Sequence, residues 1–146
     1  MEPIATEDLS IVLGEEGEAI ELGLLGDLGG QLRAVFRKIW EEAGGQALPQ
    51  VRFAVVDAEK GSLRLRLRPE IEGEGGPTPA QVAKTLIEDI EAIGESRPRA
   101  DMSADLFHRY RTLLETGRKA GRLSIQVAGS AVVLDRSNAL RYEAAF

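Results

Sequence analysis

The chain has 146 residues, 43% of them hydrophobic and 29% charged, with a formal net charge of −6. That length and mix suit a single domain over residues 1–146 with one buried core, and they exclude a disordered chain. With no cysteine, disulfides, thiolate metal sites and cysteine nucleophiles are excluded together.

No apolar run approaches the roughly 20 residues that span a membrane. The opening MEPIATEDLS lacks the basic and apolar regions of a signal peptide, so the expected compartment is the cytoplasm. The charge is uneven. Residues 1–30 hold eight acids and no base, whereas residues 97–122 hold seven bases against three acids. Such asymmetry either steers a partner or is satisfied inside the fold. An acidic chain is a poor candidate for a dedicated nucleic-acid binder.

In chain order, Leu9, Ile11 and Leu13 alternate as in a half-buried strand. GEEGE then reads as a turn. From Leu25 the apolar period lengthens: Leu25, Leu28, Leu32, Val35, Phe36, Ile39 and Trp40 share one helical face. The spacing predicts a helix from about Leu24 to Ala43, stopped at Gly44–Gly45. Gly23, Gly26, Gly29 and Gly30 are unusual there, since each costs roughly 0.8–1 kcal/mol against alanine. Close packing against another backbone is the expected reason, with an irregular helix start as the rival.

VRFAVVDAEKGSLRLRLRP reads as a β-hairpin. Val51, Phe53 and Val55 alternate on its first strand, AEKG turns, and Leu63, Leu65 and Leu67 alternate on its second strand, which Pro69 ends. EIEGEGGPTP reads as a loop. Thr78, Pro79 and Gln81 form a capping box for a helix carrying Val82, Leu86, Ile90 and Ile93 to about Glu95. SRPRAD breaks that helix. Ser103 caps the next, with Leu106, Tyr110, Leu113 and Leu114 inward and GRKAG closing it. RLSIQVAGSAVVLD is a second hairpin turning around Gly129–Ser130. Ser137 opens a short last helix through Tyr142 and Phe146.

The order β-α-β-β-α-α-β-β-(α) predicts an α+β fold: one antiparallel or mixed sheet of about five strands with helices on one face. The pieces AIEL (19–22), VRFAVVDAEKGSLRLRLRP (51–69), VAKTLIEDIEAIGE (82–95), LFHRYRTLLE (106–115) and LSIQVAGSAVVLD (123–135) together resemble an uncharacterised module common in bacterial open reading frames. That resemblance implies fold and bacterial origin and carries no activity.

The chemistry on offer is sparse. The lone histidine, His108, has Asp105 three positions earlier on the same helix face. A serine hydrolase would need a nucleophile elbow, which is missing, so His108 reads as a surface residue. Ser62 and Ser130 read as turn residues. Glu70, Glu72 and Glu74 alternate but do not match a calcium loop, and a solvated acidic stretch is the expectation. GDLGGQL lacks the lysine of a phosphate loop. No cofactor and no metal are expected.

The best site candidate is an arginine row. Arg64, Arg66 and Arg68, with Arg52 on the neighbouring strand, fall on the open face, the three spaced about 7 Å apart at roughly 3.3 Å per residue. RNA-binding sheets interleave aromatics, and this face has none. Arginine also outnumbers lysine 14 to 4 throughout the chain, which makes arginine here less special. The leading expectation is therefore a non-enzymatic interaction or assembly module with a protein partner or self-association and no membrane. Nucleic-acid or anionic-ligand binding through Arg52, Arg64, Arg66 and Arg68 is the alternative. A small hydrolase built on Asp105–His108 comes last.

Overall fold

The first strand of the chain becomes the middle strand of the sheet. The computed structural model describes residues 8–15, 19–59, 63–127, 129–135 and 142. Within them run β1 (Leu9–Leu13), α1 (Leu22–Glu42), β2 (Gln46–Glu59), β3 (Leu63–Glu74), α2 (Pro79–Gly94), α3 (Ala104–Ala120), β4 (Arg122–Val127) and β5 (Ser130–Asp135). The strands form one antiparallel sheet in the order β2-β3-β1-β4-β5. The fold is α+β, in the element order that the periodicities predict. The turn at Lys60, Gly61 and Ser62, most of GEEGE, and the last helix apart from Tyr142 lie outside the described residues.

Registry explains the core. Ile11 stands between Leu65 and Ile125, and Leu13 between Leu63 and Leu123, so the apolar sets of three strands align on one face. The helices cover that face: α1 lies along β2, α2 over β3, β4 and β5, and α3 over β4 and β5. Leu28, Leu32, Val35, Phe36, Ile39, Val82, Leu86, Ile90, Ile93, Leu106, Tyr110 and Leu113 are buried between helices and sheet. The capping box at Thr78 closes in both directions, at 2.8 and 3.2 Å. Ser103 accepts from the Leu106 amide at 3.0 Å. Tyr142 is buried against Gly94 of α2. The second hairpin turns at Gly129, whose φ of 83° suits glycine, and Ser130 is already paired with Val127.

Three expectations are corrected. First, α1 starts at Leu22, with Glu21 as its N-cap, and the glycines are not close-packing points: a Cβ on Gly26, Gly29 or Gly30 would meet nothing within 4 Å. They face open space, and the cap plus the packing of Leu28 onward hold the helix despite its weak first turns.

Second, Pro69 does not end β3, which continues to Glu74. The last β1–β3 pair is Leu9–Leu67. Among the described residues no strand pairs with β3 on that side at Pro69, and a proline is tolerated where its missing amide leaves no ladder bond unmade. The presumed loop EIEGEGG is therefore mostly strand. Its glycines admit Trp40: a Cβ on Gly73 or Gly76, or on Gly45 just before β2, would overlap the indole.

Third, the Val51–Phe53–Val55 alternation does not stay buried. Val51 is buried and Phe53 packs edge-on against Phe36 at 4.9 Å, but Val55 is 61% exposed. Val55 lies on the outermost strand, just before a bulge.

Candidate interaction surface on the open face of the sheet

That bulge sets the register on the sheet face turned away from the helices. Val55 pairs with Leu67, yet Asp57, not Val56, pairs with Arg66, so β2 holds one extra residue here. Without it, Asp57 would stand opposite Leu65. With it, Asp57 stands opposite Arg66, Ala58 opposite Leu65, and Glu59 opposite Arg64. A slip of one residue exchanges the two faces of a strand, and this one brings acidic positions level with basic ones.

All four predicted arginines belong to the β2–β3 hairpin, and two hold carboxylates. Arg68 grips Asp8 through a fork, Nε to Oδ1 at 3.0 Å and Nη2 to Oδ2 at 3.4 Å. The Asp8 side chain is 2% exposed and that of Arg68 is 46% exposed. Arg52 donates to Glu72 at 2.8 Å and lies 3.6 Å from Glu70. Arg64 is exposed and Arg66 half-buried. Acids thus accompany Arg68 and Arg52, and the Arg52 pair crosses from β2 to β3 as cross-strand pairing favours.

Because β3 runs unbroken to Glu74, the arginines and glutamates form one series. Arg64, Arg66, Arg68, Glu70, Glu72 and Glu74 occupy alternate positions of a single strand and so share its open face. Three positive positions are followed by three negative ones. Half-buried Ser10 and exposed Gln126 continue the face beside Arg66, and half-buried Ser124 and buried Val12 beside Arg64. No aromatic residue occupies this face among the described residues.

The hydrolase geometry does not form. His108 is exposed, and Asp105 turns to Arg109 at 3.3 Å and Lys38 at 3.4 Å. Desolvation raises the Asp105 pKa, but the hydrogen bonds and charges of Arg109 and Lys38 outweigh it and hold the carboxyl below its ordinary value. Among the described residues no three His, Asp or Glu side chains converge on a point that would hold a metal ion. The apolar cavity among Ile90, Leu114, Leu123, Ile125, Val132 and Leu134, about 10 Å³, is too small for a ligand.

Sequence reasoning missed a buried polar network. Asp89 on α2 is 1% exposed. It accepts from Arg99 Nε at 2.7 Å and Nη2 at 2.9 Å, and from the Tyr110 hydroxyl at 2.7 Å. Burial first, then the charge and hydrogen bond of Asp89, push the Tyr110 phenol far above its ordinary pKa. The hydrogen bond to Asp89 holds the Arg99 guanidinium charged still more firmly. The signal was present: Asp89 lies three residues after Leu86 and four before Ile93, inside the apolar stripe. A carboxylate there demands a partner, and SRPRAD supplies one.

No protein family model, no curated protein and no solved structure matches the chain. Any functional reading therefore rests on the chemistry of the surface itself. Among the described residues no helix is long and apolar enough to cross a membrane.

Proposed function

We propose that the protein is a non-enzymatic interaction module of the bacterial cytoplasm, and that it meets another protein surface through the open face of its sheet. The observation that carries this reading is the charge order along β3. A polyanion lying along Arg64, Arg66 and Arg68 would run on to Glu70, Glu72 and Glu74 and be repelled there. The missing aromatics also count against single-stranded nucleic acid. A folded protein surface can present charges of alternating block sign in the matching order, and such complementarity gives specificity.

The test is site-specific photo-crosslinking in cells that express the protein. A benzophenone side chain replaces Gln126, exposed on the open face, or Lys84, exposed on α2. Adducts at position 126 and not at position 84 are expected. Adducts confined to position 84 would overturn the proposal.

A further inference from the structure

We infer that the partner of the open face is a second copy of this chain, stacked face to face about a two-fold axis that passes Pro69. The inference rests on the interaction reading above and names its occupant. Counted outward from Pro69, the charges of β3 are opposite in sign at every equal distance: Arg68 and Glu70 at one residue, Arg66 and Glu72 at three, Arg64 and Glu74 at five. A two-fold axis lying between the faces and perpendicular to the strands reverses strand direction. It sets Arg68 against the partner's Glu70, Arg66 against the partner's Glu72, and Arg64 against the partner's Glu74. The second half of the interface repeats each contact, as an isologous interface must. An ordinary strand would not meet itself with every sign matched. A row of arginines alone would repel its own copy.

The dimensions agree. Stacked sheets lie about 10 Å apart, a gap that an extended arginine and an extended glutamate bridge together. Sheets packed face to face cross at about 30°, so the pairs nearest the axis stay in register and Arg64 with the partner's Glu74 diverges most. A carboxylate has about four acceptor sites, so Glu70 and Glu72, each beside Arg52, can accept from a second guanidinium as well. Intrachain pairing also lowers the entropy that the side chains lose on association.

The test is a charge swap between chains, read by sedimentation velocity at low ionic strength. The wild type is expected at twice the 15.8 kDa chain mass at concentrations of about 100 μM. Arg66→Glu alone sets glutamate against the partner's Glu72, and Glu72→Arg alone sets arginine against the partner's Arg66. Each is expected to weaken the dimer by on the order of tenfold or more. An equimolar mixture of the two variants restores every sign and is expected to recover the dimer. Thermal melts confirm that both variants fold, and Arg64→Glu with Glu74→Arg repeats the design should either fail to. A wild type that stays monomeric, a dimer indifferent to both reversals, or a mixture of folded variants that does not recover overturns the inference. Position-126 adducts heavier than one chain by anything other than a second chain would overturn it too, while leaving the interaction reading standing.

Discussion

Asp89 and Asp8 lie on opposite sides of the sheet, each 1% exposed and each gripped by an arginine fork. Asp89 belongs to the helical layer. Its arginine comes from only ten residues away, across a turn where Ser96 takes a φ of 59°, and Tyr110 adds a third donor. That network is closed and ties α2, the connection after it and α3 into one unit. Asp8 lies on the open face at the entry to β1, and its arginine comes from 60 residues away. Arg68 also belongs to a row that continues to Glu74 at the surface. Buried charge in the helical layer serves the fold, whereas charge on the open face is arranged in a pattern that a second surface can meet.

The sharpest way to break this contrast is to remove each carboxylate in turn. Asp89→Ala leaves Arg99, whose side chain is 35% exposed, without its main acceptor and Tyr110 without its only described one. A loss of about 3 kcal/mol is expected in urea unfolding. Asp8→Ala leaves a more exposed arginine that water can serve, and about 1 kcal/mol is expected. Equal losses would end the distinction. Deleting Val56 removes the bulge and sets Asp57 opposite Leu65. It is expected to cost about 2 kcal/mol and to disturb amide exchange in β2 and β3 while α2 and α3 keep their protection.

Tyr110→Phe sharpens the helical side. The phenol stays protonated in the fold, while in the unfolded chain it ionises near pH 10. Above that pH the folded state binds more protons, so stability is full below about pH 10 and falls as the pH rises past it. The variant is expected to lose about 1 kcal/mol at neutral pH and to show a shallower alkaline decline in urea midpoints between about pH 9 and 11. The smallest effect belongs to the exposed start of α1. Gly29→Ala meets open space and is expected to stabilise by about 0.8 kcal/mol in thermal melts.

Much of the fold was legible because periodicity and caps act locally. Thr78 with Gln81, Ser103 with Leu106, and the Leu63–Leu65–Leu67 alternation each mark their element unaided. What escaped depends on neighbours. Pro69 stops a strand in isolation, but here β3 continues through it, still paired with Phe53 of β2. The bulge at Val56 is invisible until Arg66 stands across from Asp57. The glycines of EIEGEGG read as loop because their use, room for Trp40, comes from a residue more than thirty positions away. The candidate site was half legible for the same reason: the arginine row was plain, but its glutamate continuation was hidden by the presumed loop.

The central claim is that the open face carries a self-complementary charge order. The most direct measurement is the sedimenting mass of the unaltered protein as sodium chloride rises from about 20 mM to about 500 mM, across which the Debye length shrinks several-fold. The expected result is a dimer at low salt that dissociates to the 15.8 kDa chain at high salt. A mass that does not change with salt, at one chain or at two, would contradict it.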